Sequence, residues 1–302
     1  MALKPYLQLV RLPNVFTAAA DSLAGWLLVQ GTLREPARWL PLCLASVLIY
    51  AAGIALNDYF DFAIDQIERP SRPLPTGRVS RRFALFLGIG MMAAGVALVA
   101  LSSPTRSTCV AVLLIMTVLA YDLVLKHTPI GPIAMGACRG LNLLLGLSAA
   151  ADLGGSVGWL AAGSFGLFVA GVTWISRSET QTGKSAGPVL GWAFQNLALF
   201  GLFAVAMQAA RFPTIDGVRP PIVPLEGLLV LLVVAWVVNA ATGRALRLPT
   251  PLHRQMAVKT GVLALVWLDV GLVAAVRGPV HALAVAALWV PAFLLGKWLY
   301  ST

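Results

Sequence analysis

Four of the twelve acidic residues in this 302-residue chain fall within eleven positions: Asp58, Asp61, Asp65 and Glu68. The stretch reads Asn57-Asp58-Tyr59-Phe60-Asp61-Phe62-Ala63-Ile64-Asp65. On a helix advancing about 100° per residue, offsets of three and seven put the three aspartates on one stripe. Like charges at such spacing repel by about 0.2–0.5 kcal/mol per pair in water, and by more beside a bilayer. A positive partner is therefore required. Carboxylate and amide oxygens are hard ligands, suited to a partly hydrated Mg²⁺ that arrives with a substrate phosphate. The residues that follow are Arg69-Pro70-Ser71-Arg72-Pro73-Leu74-Pro75-Thr76-Gly77-Arg78. Their prolines make a stiff, non-helical connection, and its arginines suit bidentate contacts to phosphate. Carboxylates, a divalent cation and arginines in one pocket describe a diphosphate site. A plain solvated acidic loop would give no reason for Asn57 and three aspartates to stay in phase with apolar residues between them.

The elements that must carry this cluster are set by composition. The chain is 59% hydrophobic and 11% charged, with a mean hydropathy of +0.83, against roughly a quarter charged residues in a soluble domain. A disordered, collagen-like or small secreted protein is excluded. A membrane-spanning helix needs about 20 mostly apolar residues, and ten segments qualify: 12–30, 40–57, 83–102, 107–125, 131–150, 157–175, 188–209, 222–241, 257–276 and 279–299. Only Arg277-Gly278 separates the last two, so nine full spans plus a partial one also fit. The expected fold is all-α: a polytopic transmembrane bundle of nine to ten spans forming one domain over 1–302.

With the N-terminus in the cytoplasm, cytoplasmic loops and termini hold 15 Lys and Arg, the opposite side six, and Arg139 lies within a span. This is the bias of the positive-inside rule. It accounts for the net charge of +10 without nucleic acid, since no folded module remains to bind one. The first segment runs apolar to Val29 and reads as an uncleaved helix. Cys43, Cys109 and Cys138 lie in apolar stretches and are odd in number, and His127, His253 and His281 are scattered. Neither set gives a disulfide framework or metal-ligand spacing. The proline-rich stretch 211–221 suggests no chemistry, and loop 242–256, with Arg244, Arg247 and Arg254, is expected to contact headgroups or cap the cytoplasmic face.

Asn57-Asp58-x-x-Asp61-x-x-x-Asp65, followed by Arg69-Pro70-Ser71-Arg72-Pro73-Leu74-Pro75-x-Gly77, resembles the first aspartate-rich motif of the UbiA family of intramembrane prenyltransferases. The resemblance implies a helical bundle around a central cavity open laterally to lipid. It also implies Mg²⁺-assisted ionisation of a prenyl diphosphate and transfer of the prenyl group to an acceptor. By that likeness Asn57, Asp58, Asp61 and Asp65 hold Mg²⁺ and diphosphate, and Arg72 contacts the phosphates. Tyr121-Asp122-Leu123-Val124-Leu125-Lys126 resembles a second family element, whose lysine reaches the diphosphate. Read without the family, Lys126 is a lysine snorkelling at a helix end.

The family's second motif implies two aspartates about four residues apart between spans 6 and 7. Here the sequence is Ser176-Arg177-Ser178-Glu179-Thr180-Gln181-Thr182-Gly183-Lys184, with Glu179 its one acidic residue. Two readings stand. Glu179, with Ser176, completes a reduced metal site while Arg177 or Lys184 supplies the missing charge; or catalysis is lost, leaving a non-catalytic isoprenoid-binding or lipid-handling protein. Inside the spans, Arg139 and Asn142 share a helix face and are candidates for acceptor or diphosphate contact, with a structural pairing of Arg139 to a carboxylate such as Asp21 as the alternative. Asp269 reads as structural, and Asn14 is a weaker pocket candidate. The expected activity is Mg²⁺-dependent transfer of a prenyl group to an aromatic or lipophilic acceptor. It is placed in a multi-pass protein of a bacterial inner membrane, with the diphosphate site cytoplasmic, membrane lipids around it and no obligate protein partner.

Overall fold

A computed structural model describes residues 3–212 and 225–300, and every regular element among them is helical. In chain order they are α1 (Lys4–Leu9), α2 (Leu12–Gln30), α3 (Pro36–Phe60), α4 (Phe62–Glu68), α5 (Arg81–Ser102), α6 (Thr105–Leu123), α7 (Gly131–Leu147), α8 (Gly155–Ser176), α9 (Ala186–Met207), α10 (Leu225–Arg247), α11 (Pro251–Arg277), α12 (Pro279–Ala286) and α13 (Trp289–Tyr300). Prolines in the first turn start α2, α3, α7, α11 and α12, where their missing N–H groups are no loss. Ser80 and Thr250 cap α5 and α11 through their side-chain oxygens.

Among the described residues, nine segments are long and apolar enough to cross a membrane, the ninth being Pro279–Leu299, which joins α12 and α13. The protein is a multi-pass integral membrane protein. The expected span not among these nine, 131–150, is α7, which has 17 residues and covers about 25 Å. Most of it is buried, twelve residues including Arg139 and Asn142, while Ile133 and Ala137 form an exposed outer face. Expected span 222–241 begins before the described part of α10, and most of the stretch 211–221 lies outside the described residues.

α7 can sit this deep because its neighbours approach at backbone distance. A Cβ on Gly146 would collide with the Ser22 carbonyl of α2, and one on Gly25 with the Leu143 carbonyl of α7. On the other side, a Cβ on Gly140 would lie 2.8 Å from the Ala162 carbonyl of α8. Small residues permit such contacts where no hydrophobic effect drives helices together. Gly146→Ala must push α2 and α7 apart, and a loss of about 1–3 kcal/mol is expected. The comparison is Gly163→Ala, whose Cβ would meet nothing within 4 Å. Denaturation midpoints of the two variants in detergent check this, with a shift only in Gly146→Ala.

The acidic stretch is helical, as its spacing implies, and carries on beyond residue 57, where the second span was expected to end. α3 continues to Phe60 and α4 begins at Phe62, with Asp61 between them. The backbone ladder runs through the junction: Asp61 N–H to Asn57 O at 2.9 Å, Asp65 N–H to Asp61 O at 2.8 Å and Arg69 N–H to Asp65 O at 3.0 Å. The expected stripe is thereby realised on a nearly continuous helix. The Arg81 guanidinium lies over the Tyr59 and Phe62 rings, 4.9 and 4.5 Å from their centroids, and ties the start of α5 to this junction.

Candidate functional site

Asp58 and Asp65 are both buried, at 4% and 3% exposure. Their carboxylates converge on one nitrogen: Arg72 Nη1 lies 3.0 Å from Asp58 Oδ1 and 2.5 Å from Asp65 Oδ2. The proline-bounded turn after α4 brings Arg72 back over its own helix to make this bridge. Arg11 reaches the same Asp58 oxygen at 3.4 Å from the junction of α1 and α2. There its backbone adopts a left-handed conformation, φ +45°, that turns the chain between the two helices. Asp61 has a partner of its own, Lys126 Nζ at 2.5 Å. The Lys126 side chain is only 9% exposed, so it turns into the protein rather than out to the interface. Asn57 donates its amide to Asp122 Oδ1 at 2.9 Å. The result is four carboxylates (Asp58, Asp61, Asp65 and Asp122) interleaved with Arg11, Arg72 and Lys126 at one end of the bundle.

Asp122 and Arg11 were not singled out from the sequence. Asp122 stands inside the Tyr121–Lys126 stretch, four residues before Lys126, which was. Arg11 lies far from the acidic motif, and nothing in its spacing points there.

The second loop sits apart from this group. Glu179 is engaged by Arg69 at 3.9 Å, linking the loops that follow α4 and α8, and no three Asp, Glu, His or Cys residues among the described residues form a group that could hold a metal ion. Arg177 donates from Nη2 to the carbonyls of Lys126 at 2.6 Å and Thr128 at 2.7 Å. Its guanidinium packs over Trp174, 5.7 Å from the ring centroid, and Gly131 leaves room for it, since a Cβ there would strike it.

The loop is held from below by Arg254, a residue of the 242–256 segment that was expected to meet headgroups or cap this face. Arg254 is fully buried and donates to the carbonyls of Ser178 at 2.7 Å, Gln181 at 2.8 Å and Gly183. Arg254→Met would leave those carbonyls without their donor, at a cost of about 1–3 kcal/mol. Limited proteolysis is expected to cut the 178–184 loop faster in that variant, and an unchanged cleavage rate would refute the clamp.

The candidates inside the spans form a separate network. Arg139 Nε lies 2.6 Å from Asp21 Oδ2, while its Nη1 and Nη2 donate to Thr17 Oγ1 at 3.2 Å and Thr17 O at 2.8 Å. Asn142 donates to Asp21 Oδ2 and Ala18 O, each at 2.9 Å, and accepts from Ser46 Oγ at 2.6 Å. Asp269 of α11 lies beside Asp21. The structure thus joins Arg139 and Asn142 to α2, α3 and α11, about 15 Å along α2 from Arg11, and not to the acidic cluster. Asn14 is half-buried in the first turn of α2, and its carbonyl accepts from Thr17 Oγ1 at 2.7 Å.

Fold and site together define a class: helical membrane proteins that hold a carboxylate and arginine pocket at one end of an intramembrane bundle. The sequence profile of the UbiA prenyltransferase family matches residues 18–247. The chain belongs to that family. It is similar to the digeranylgeranylglyceryl phosphate synthase of Thermococcus gammatolerans, 35% identical over 155 residues that make up 51% of this chain and 56% of that protein. The protein of the same name from Methanococcoides burtonii is 33% identical over 153 residues, 48% of this chain and 54% of that one. The chain spans about half the length of the curated relatives it matches. A UbiA homolog from Aeropyrum pernix K1 superposes with a TM-score of 0.64 at 20% identity, over 85% of this chain and 96% of that one, and shares the fold.

Proposed function

We propose that this protein transfers a prenyl group from a prenyl diphosphate to the hydroxyl of a lipophilic, phosphate-headed acceptor. The observation that carries the reading is the convergence of Asp58 and Asp65 on the single Arg72 nitrogen, beside the Lys126–Asp61 pair. Two carboxylate oxygens within bonding reach of one point, with cations around them, are the donor set a Mg²⁺ takes when substrate phosphates supply its remaining ligands. Asp58 and Asp65 would hold the ion, with Asn57 and Asp61 adjoining; bound there, it would neutralise charge on the diphosphate.

The remaining roles belong to the chain itself. Arg11, Arg72 and Lys126 present guanidinium and ammonium groups to the diphosphate oxygens, exchanging carboxylate partners for phosphate. The bond from the prenyl C1 to oxygen breaks with its electron pair on the diphosphate. The acceptor oxygen forms the new bond to C1, and its proton passes to the departing diphosphate. Apolar helices around the pocket exclude the water that would otherwise capture the cation. The cytoplasmic excess of Lys and Arg supports a cytoplasmic site. A phosphate-headed acceptor is preferred over an aromatic one because the relatives carry the name of a glyceryl phosphate lipid synthase. The intact first pocket favours catalysis over passive isoprenoid binding.

The test offers purified protein a C20 prenyl diphosphate with a prenylglyceryl phosphate or with an aromatic acid, and follows products by mass spectrometry. Product from the glyceryl phosphate lipid, absent with chelator, is expected. Prenylation of the aromatic acid alone would overturn the choice of acceptor.

A further inference from the structure

An apolar groove of about 500 Å³ runs down the outer side of α7 between α6 and α8. Leu113 and Thr117 of α6, Ala137 and Gly140 of α7, and Trp159 and Gly163 of α8 line it. It exists because α7 and α8 meet through small residues at backbone distance while α6 stands off. The size lies within the ordinary range for small-molecule sites, and its walls offer hydrocarbon contacts.

We propose that this groove seats the hydrocarbon chain of the phosphate-headed acceptor; the assignment rests on the reading under Proposed function. Its cytoplasmic end is cationic. Ile133 lines the groove, and two residues earlier Gly131 packs against the Arg177 side chain. Arg177 and His127 are both exposed at that end, placed to meet an anionic head with an apolar tail below it.

One residue links that end to the acidic pocket. The Lys126 carbonyl accepts from Arg177, while the Lys126 ammonium meets Asp61. A phosphate resting on Arg177 therefore lies about one lysine side chain away from the diphosphate site, which places the hydroxyls of the same headgroup on the approach to it. Charge at one end argues against a second copy of the chain, and continuity with the diphosphate site through Lys126 selects the acceptor over an ordinary bilayer lipid.

Gly163 permits a clean test. A Cβ there would meet nothing within 4 Å, so the side chain of Gly163→Phe starts in open space on the groove wall. The KM for prenylglyceryl phosphate is expected to rise at least about tenfold, with the KM for prenyl diphosphate and kcat unchanged. Separately, a prenylglyceryl phosphate carrying a diazirine in its chain should label α6–α8 peptides of the wild-type protein, and excess ordinary phospholipid should not displace it. An unchanged acceptor KM, labelling spread around the bundle, or displacement by bulk phospholipid would each overturn the assignment. If the protein transfers no prenyl group at all, the proposed activity fails, and the labelling pattern still decides what the groove holds.

Discussion

An Arg139→Leu protein is expected to lose about 3–5 kcal/mol of stability, the cost of leaving a buried charge without its partner. Asp21 is fully buried and its Oδ2 faces Arg139 Nε at 2.6 Å. Asp269, also fully buried, lies beside it, so removing the one guanidinium strips this buried acidic pair of its counter-charge. The Thr17 carbonyl loses its donor at the same time. Asp21→Asn with Arg139→Leu removes one charge of each sign and should recover more than half of the loss. Chemical denaturation in detergent reads both values. A single variant as stable as wild type, or a double variant worse than the sum of the two singles, would contradict the network as described.

Arg72→Met is expected to lower prenyl transfer about 100- to 1,000-fold, the range for losing one donor to a developing anion. Arg72 pairs with both Asp58 and Asp65, and without it two buried carboxylates on the same stripe repel. Arg72→Lys should recover part of the activity. A lysine can stand between the two oxygens as a point charge, but it lacks the remaining donors of the guanidinium fork. Steady-state rates with saturating acceptor distinguish the cases. Equal rates for methionine and lysine at this position would show that charge is not what Arg72 contributes.

The central stripe was legible in the sequence because a spacing of three and then four residues has meaning on a helix before any tertiary contact forms. Asp58, Asp61 and Asp65 do share a helical path, and the helix carries the polar stretch down to Glu68. Apolar runs likewise located the spans, since backbone satisfaction in lipid leaves little but helices. Partners were a different matter. Arg11, Asp122 and Arg254 come to their places through turns and crossings that no local pattern encodes. Arg139 could be read as buried and in need of a carboxylate, but its choice of Asp21 is set by how closely Gly25 and Gly146 let α2 meet α7. The missing second aspartate pair was visible in the sequence, whereas the pairing of Glu179 with Arg69 and the clamp of Arg254 on the loop required the fold.

The most direct test is diphosphate release by the purified protein supplied with prenyl diphosphate, a phosphate-headed lipid acceptor and Mg²⁺, compared with the Asp61→Ala variant. Release that needs donor, acceptor and Mg²⁺ together, and disappears in Asp61→Ala while the variant stays folded, is the predicted result. Release that continues undiminished in Asp61→Ala, or tight binding of prenyl diphosphate with no release under any of these conditions, would contradict the account.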